Sequence, residues 1–467
     1  MKYFKVIHTL SVRKKLSVYL VGGFLRDQIL NRSGCDFDFA VSKNAIALAK
    51  SFSRAIQGAF VLLDEDHPCG RVVKKEQGQI WTFDFSDFRA PTLEKDLGLR
   101  DFTVNTLSLS LEYLDGPKID FHKVLSHPKA LKDLKSKTVR LVSSRVFIDD
   151  PLRLMRAFSL FAQLGFKIEA KTFRQIQNDA HLINKVSMER IREEWFKVLS
   201  SSRTYEALLL MHKAKLLERI IPQLSVMEKI DQGGYHHLDV WHHSLEVVKQ
   251  FEELISEIKV ECIQDYLNTG IAAGHKRCAL LKFACLVHDI GKPDTKKIEG
   301  QRMTFYSHEH VGAAITRIIA KQMKLSVKER HFLEDMVTWH LRPGYVSNFK
   351  KPSERMIFRF LRDTKEEALS VLLLALADQR ATRGVLTTKA KFEHHQKTCW
   401  QVIDRFIENK KQKPRVRLIT GDDLIKKLKL KPSPLFAKIL NSVQEAHALG
   451  KISSKSEALA LAMKMSS

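Results

Sequence analysis

The spacing of apolar and polar positions separates the chain into two parts. Up to about residue 140, short β-branched and aromatic runs alternate with turn residues and helical stretches, which predicts an α/β region. The run Val18-Tyr19-Leu20-Val21 stops at Gly22-Gly23 and resumes from Phe24 to Leu30, which reads as strand, tight turn and helix. Asp36-Phe37-Asp38-Phe39-Ala40-Val41 then alternates acid and apolar with period two. Strand side chains alternate between faces, so Asp36 and Asp38 share one. A helix is expected over 44–59 and further strands up to Arg89, among them Trp81-Thr82-Phe83-Asp84-Phe85, which repeats the alternation. From Leu141 onward the pattern turns helical and stays so, with few strand-like segments.

The turn and the strand after it carry chemistry. Glycines at Gly22 and Gly23 let backbone N–H groups approach a polyphosphate, and Arg26, beside Asp27, sits in the first helical turn. Two carboxylates side by side repel unless a cation lies between them, and hard ions such as Mg²⁺ take oxygen ligands of this kind. A phosphate cradle next to Asp36 and Asp38 points to nucleotidyl transfer. The alternative is a solvent-facing edge strand with two charges; the preceding Gly-Gly-x-x-Arg-Asp turn favours the functional reading. Asp84 either adds a third carboxylate from a neighbouring strand or is an ordinary edge-strand acid.

Further along, Arg100-Asp101-Phe102-Thr103-Val104-Asn105 offers an arginine for a phosphate, with Asp101 or Thr103 as a helix cap. In Asp149-Asp150-Pro151-Leu152-Arg153-Leu154-Met155-Arg156, acids precede a proline expected at a first helical turn, and Arg153 and Arg156 fall on one helix face. An aspartate beside an arginine presents an acceptor and a donor fork, the set that reads a nucleobase edge. The charges of Ser187 to Glu194 read as mostly structural.

The middle of the chain holds a second constellation: His236-His237-x-Asp239-x-Trp241-His242-His243, Cys285-Leu286-Val287-His288-Asp289, His308-Glu309-His310, Trp339-His340 and Leu376-Ala377-Asp378. The His-Asp doublet ends an apolar helical run and so puts two ligands at a buried helix end. Imidazole with carboxylate suits Zn²⁺, Ni²⁺, Mn²⁺ or Fe²⁺ better than Ca²⁺.

Composition narrows the partners. Lys and Arg total 78 against 53 Asp and Glu, a net charge of +25. An excess this large points to a polyanion, with nucleic acid first. The most apolar runs, 280–287 and 369–377, are short and lead into His or Asp, which argues against a membrane protein. The six cysteines lack Cys-x-x-Cys spacing and the opening residues lack a secretory pattern, so reduced thiols and a cytoplasmic location are expected.

Taken in order, Gly22-Gly23-x-x-Arg26-Asp27, Asp36-x-Asp38, Arg100-Asp101-Phe102-Thr103-x-Asn105 and Asp149-Asp150-Pro151-Leu152-Arg153-x-x-Arg156 resemble the class II tRNA nucleotidyltransferase and bacterial poly(A) polymerase family over roughly residues 15 to 225. The resemblance implies an α+β protein: a polymerase-β-like head on an all-α body. Mg²⁺ would sit on Asp36 and Asp38, with Asp84 where the family often has a third acid. Gly23, Arg26, Arg100, Arg153 and Arg156 would hold the triphosphate, with Gly22, Asp27, Asp101 and Asn105 completing the nucleotide site. Asp150 and Arg153 would read the base in place of a nucleic-acid template. Asp149 departs from the family's usual Glu.

The histidine-rich segment is similar to HD phosphohydrolases, whose ligand order falls on His243, His288, Asp289 and Asp378, with His308 and His340 matching the extra histidines of two-metal members. That implies phosphoester hydrolysis on RNA ends. The expected domains are a catalytic head over 1–140, a helical neck over 141–230, an HD domain over 231–385, and a basic helical tail over 386–467 that contacts tRNA after a linker at 410–414. The implied activity is untemplated CCA addition to tRNA from CTP and ATP. The acidic 62–68 segment stands where poly(A) polymerases have a basic one, which favours tRNA over poly(A) synthesis. An A-adding or CC-adding enzyme of the same family, an HD phosphohydrolase with a non-catalytic RNA-binding head, and a tRNA-binding protein without activity remain as alternatives. Oligomeric state is not legible.

Overall fold

A computed structural model describes residues 2–64, 68–114, 119–272, 274–300, 302–411 and 417–466. The acidic 65–67 and the linker residues 412–414 lie outside them. The chain forms two compact units, Met1–Val198 with Leu210–Ile220, and Leu199–Leu209 with Ile221–Ser467.

The first unit is built on six strands: β1 (Val18–Val21), β2 (Asp36–Val41), β3 (Ala59–Asp64), β4 (Cys69–Glu76), β5 (Gln79–Asp87) and β6 (Ser108–Ser110). Their order is β3-β4-β5-β2-β1-β6, and β2 runs parallel to β5 while the other neighbours are antiparallel. Helices α1 (Lys2–Arg13), α2 (Gly23–Ile29) and α3 (Ala45–Ile56) belong to this part. The period-two pattern of β2 resolves as expected. Phe37 and Phe39 are buried and stack on Phe83 and Phe85 of β5 at ring-centroid distances of 5.2 and 4.9 Å, while Asp36 and Asp38 are exposed on the opposite face. Phe52 of α3 closes the aromatic layer edge-on, 5.0 Å from Phe83. The apolar half of the alternation thus forms a rigid floor beneath the acidic half.

After the sheet come α4 (Leu93–Leu97), α5 (Ala130–Lys135), α6 (Val146–Asp149), α7 (Arg153–Leu164), α8 (Ala170–Asp179) and α9 (Met188–Leu199). Pro151 lies in the turn between α6 and α7, not at a first helical turn, because Leu152 precedes the first residue of α7. Asp101 and Thr103 do not cap a helix through their side chains; Thr103–Asn105 is a short 3₁₀ turn led by Phe102.

The second unit is mostly helical. Arg277–Val287 is buried almost along its whole length, and 368–377 of helix Ala368–Ala381 likewise. Helix Val240–Glu257 packs on both, and His308–Gln322 packs on Val327–Trp339. Two hairpins, Gly270–Ala272 with His275–Lys276 and Lys297–Glu299 with Arg302–Thr304, interrupt the helical pattern. The end of the chain has a small core of its own around Ile419, Leu424, Ile439, Val443, Ala458 and Ala462. No described helix is long and apolar enough to cross a membrane.

Candidate active site

The acidic face of β2 opens on a cleft of about 370 Å³ in the first unit, lined by Gly22, Asp38, Arg100, Asp150, Arg153 and Arg156 among others. The parallel register sets Asp38 opposite Asp84 and the antiparallel one sets it opposite Val21, so the carboxylate stands at the strand end where the glycine turn begins. Gly22 has φ of +76°, a backbone conformation that favours glycine. A Cβ there would stand 3.5 Å from Arg100 Nη1 and 3.6 Å from Asp38 Oδ2, filling the gap between cation and carboxylate.

Charges in the cleft are tied to one another. Arg26 donates from Nη1 to Asn105 Oδ1 at 2.6 Å and from Nε to Asp27 at 2.9 Å, and Asn105 donates to Asp101 at 3.0 Å. Arg156 closes the chain on Asp101 Oδ2 at 2.8 Å. Burial pushes the Asp101 carboxyl up, but Arg156, Asn105 and the Phe102 N–H outweigh it and bring the group down to about 2. Asp38 moves the other way. The surrounding protein raises its pKa first, then the like charges of Asp84 and Asp36, against the pull of Arg100 and Arg156.

Asp84 lies on the same face but is held by Arg71, which donates from Nε at 2.8 Å and Nη2 at 2.7 Å to its two oxygens. Asp36, Asp38 and Asp84 therefore do not converge as a single three-ligand group. Arg100 is loosely held: its Nε is buried without a hydrogen bond and its Nη2 stands 3.4 Å from Asp96. An anion in the cleft would satisfy it.

A second cluster lies in the helical unit. His288 and Asp289 follow the buried helix Arg277–Val287, and around them gather His243, His308, His340 and Asp378. Asp289 is the hinge of the set. Its Oδ2 is 3.1 Å from His288 Nε2 and 3.6 Å from His243 Nε2, while its Oδ1 is 3.3 Å from His308 Nε2 and 3.6 Å from His340 Nε2. Asp378 Oδ1 stands 3.0 Å from His243 Nε2.

The ligand atoms thus fall into two triads, His243-His288-Asp289 and Asp289-His308-His340, sharing one carboxylate. Nε2 of His243 and of His288 are buried and make no well-aligned hydrogen bond, as expected of lone pairs aimed at a common point. This donor set fits a pair of divalent cations. Burial raises the Asp289 carboxyl, but His288 and Lys292 outweigh it and hold it well below the usual carboxylate range. Lys292 Nζ donates to Asp289 Oδ2 and to Gln232 Oε1, each at 2.6 Å.

Comparison with known proteins places the two clusters in regions that match known domains. Residues 18–140 match the poly A polymerase head domain, 165–227 the probable RNA- and SrmB-binding site of polymerase A, and 240–383 the HD domain. An A-adding tRNA nucleotidyltransferase of Deinococcus radiodurans is 28% identical, covering 94% of each chain. A CC-adding tRNA nucleotidyltransferase of Thermus thermophilus is also 28% identical, over 94% of this chain and 92% of the relative. The chain thus carries the poly A polymerase head and RNA-binding regions followed by an HD domain, and it is similar along nearly its whole length to tRNA nucleotidyltransferases. Its fold is also that of a CCA-adding enzyme solved with ATP, at a TM-score of 0.65, 17% identity and 99% and 95% coverage. The Thermotoga maritima CCA-adding enzyme complexed with tRNA gives 0.63, 18% identity and the same coverage.

For this nucleotidyltransferase, the structure gathers Gly22, Gly23, Arg26, Asp38, Arg100, Asp101, Asn105, Asp150, Arg153 and Arg156 around one cleft. Asp27 stands behind it as a partner of Arg26, and Asp36 and Asp84 flank Asp38. Asp149 is not among the cleft-lining residues; its partner is Arg145 at 3.8 Å. Sequence reasoning missed Arg71, whose position opposite Asp84 follows only from the β4–β5 register. It also took the charges of α9 as structural, whereas Arg190, Glu194 and Lys197 line the cleft. In the HD domain it gave no role to Lys292 or Gln232.

Proposed function

We propose that this protein extends the 3′ end of tRNA with C and A from CTP and ATP, without a nucleic-acid template. The observation that carries this reading is the cleft itself. A carboxylate strand face meets a glycine turn and an under-engaged arginine, in a chain whose relatives over nearly its whole length are named tRNA nucleotidyltransferases. Asp36 and Asp38 would hold Mg²⁺, with Asp84 drawn in if Arg71 releases an oxygen. Mg²⁺ there would supply Lewis-acid activation of the terminal 3′-hydroxyl and neutralise the leaving pyrophosphate. Arg100 and Arg156 bind the triphosphate, and the Arg26-Asn105-Asp101 chain keeps Arg156 in place. The net charge of +25 attracts the tRNA over a large surface.

A narrower reading is favoured by one observation: two relatives that each cover 94% of this chain are named as A-adding and CC-adding enzymes, on which reading the chain would perform one part of CCA synthesis. Labelled CTP and ATP, supplied separately and together to tRNA transcripts ending before CCA, after C and after CC, decide the point. Stepwise C, C, A with termination supports full CCA addition, and C only or a single A supports the narrower reading. Long A tails support a poly(A) polymerase, and no incorporation overturns the proposal.

In the HD domain, His243, His288, Asp289 and Asp378 would hold one Ni²⁺, Mn²⁺, Zn²⁺ or Fe²⁺, and His308 and His340 a second through the shared Asp289. Such metals supply a nucleophile for phosphoester hydrolysis at neutral pH. The substrate class that suits the polymerase half is a blocked RNA end, a 2′,3′-cyclic phosphate or a 2′-phosphate. The working compartment is the cytoplasm.

A further inference from the structure

The histidine-rich stretch opens with His236, which belongs to neither metal-ligand triad. Its ring stands edge-on to that of His243, with 4.6 Å between centroids, and Lys292, Asp378 and Asp289 are close enough for their charges to act on it. Nδ1 is buried without a hydrogen bond, and the ring as a whole has no hydrogen-bond partner among the described residues. Two sets of contacts hold it there. The loop 230–240 closes on itself, Val240 N–H donating to Ile230 O at 3.1 Å and Gln232 Nε2 to Leu238 O at 3.1 Å, and Gln232 Oε1 accepts from Lys292, which also donates to Asp289. A second segment clamps the same loop: Gly384 N–H donates to Tyr235 O at 2.8 Å and Leu386 N–H to Gly234 O at 3.1 Å. Only glycine allows that approach, since a Cβ on Gly384 would lie 2.2 Å from Tyr235 C and 2.4 Å from Gly234 O. A partly buried imidazole fixed beside the ligand set, yet without a partner of its own, is a donor whose acceptor lies off the chain.

We propose that His236 binds a phosphoryl oxygen of the HD-domain substrate, a phosphate on the 2′ oxygen of a ribose, and that Gly384 is the residue that positions it. This rests on the HD-domain reading above. The carboxylates nearest the ring, Asp289 and Asp378, would be engaged by cations, which leaves the imidazole no acceptor on the chain. An imidazole carries at least one N–H in each of its tautomers and in its protonated form, and phosphoryl oxygens accept, so the contact needs no particular protonation state. His236 touches the substrate from the His243 side of the first triad and takes no place among the metal ligands.

The test uses the full-length protein with Mn²⁺ and adenosine 2′-monophosphate as the probe. It measures kcat and KM for phosphate release, and the rise in melting temperature caused by Mn²⁺ alone and by the probe added to it. Any response that survives in Asp289→Ala is subtracted as binding elsewhere on the chain. His236→Ala is expected to raise KM about 10-fold or more with kcat within about twofold of wild type, the mark of a lost hydrogen bond to a charged group. Its response to Mn²⁺ should match wild type, its response to the probe should shrink, and without metal it should melt within about 3 °C of wild type. His236→Asn and His236→Gln place an amide N–H near Nδ1 and Nε2 respectively, and one of the two should recover part of the KM. Gly384→Ala should raise KM as His236→Ala does while leaving the ring in the sequence. A His236→Ala protein with wild-type KM overturns the assignment, as does one that fails to fold or loses the Mn²⁺ response; Gly384→Ala at wild-type KM overturns the positioning role. If wild type responds to Mn²⁺ but releases no phosphate, the same comparison is made on the probe-induced melting shift, and a wild type without that shift overturns the proposal. A wild-type protein that neither responds to Mn²⁺ nor releases phosphate overturns the HD-domain reading and the proposal with it.

Discussion

The cleft of the head and the pocket of the HD domain differ in how their charges are settled before any ligand arrives. In the head, arginine and acid are matched: Arg26 with Asp27 and Asn105, Arg156 with Asp101, Arg71 with Asp84, Arg190 with Asp150. Such a site keeps its shape when empty, and a substrate exchanges partners within it. In the HD domain, Nε2 of His243 and of His288 is buried beside carboxylates without a well-aligned hydrogen bond, and polar groups left in that state are costly. One site is built from ion pairs that can exchange partners, and the other from ligand atoms gathered without aligned partners of their own.

This contrast has measurable edges, taken from the largest effect downward. Asp38→Ala should cut nucleotide addition by about 10³-fold or more while phosphodiester hydrolysis and the melting temperature stay near wild type; an addition assay under single-turnover conditions checks it. Asp289→Ala should do the reverse, because it removes the carboxylate that both triads share. In wild type, Mn²⁺ at about 100 times its dissociation constant should add about 2.7 kcal/mol of stability, and the variant should lose that response in a thermal melt. A wild-type protein whose melting point ignores Mn²⁺, Ni²⁺ and Zn²⁺ would collapse the contrast.

Acid probes the matched charges of the head. The folded Asp101 carboxyl sits at about 2, below its ordinary 3.8, so its stabilising contribution is complete above about pH 4 and is lost as pH falls through about 2. Asp101→Asn should cost about 2 kcal/mol near neutral pH and flatten the unfolding curve in that window, measured by denaturant titration at several pH values. Last is Gly22→Ala. The added methyl meets only ordinary contacts, but φ of +76° with ψ of −131° is a conformation open essentially to glycine and strains it by about 1–3 kcal/mol, with a larger effect on KM for the triphosphate than on stability.

Much of this was legible from residues alone because the signals were periodic or local. The alternation of β2 placed Asp36 and Asp38 on one face, and the glycine turn followed from two adjacent residues. The apolar run into His288-Asp289 announced a buried ligand pair. Long-range pairing was not legible. Arg71 meets Asp84 only through strand register, and Arg190 reaches Asp150 across 40 residues of helix and turn. Asp150 and Arg153, close in sequence, have different partners in the fold, Arg190 for the one and the Val146 and Leu99 carbonyls for the other, since a side chain's direction depends on what packs against it. The 3₁₀ turn at Thr103–Asn105 likewise reflects Asp101 being held by Arg156 and Asn105, leaving no free carboxylate to cap a helix.

The most direct test of two independent sites is incorporation of labelled CTP and ATP onto tRNA lacking CCA by Asp38→Ala and Asp289→Ala enzymes assayed side by side. The account predicts no detectable incorporation by the first and incorporation within about twofold of wild type by the second. Wild-type incorporation by Asp38→Ala, or its loss in a folded Asp289→Ala enzyme, would contradict it.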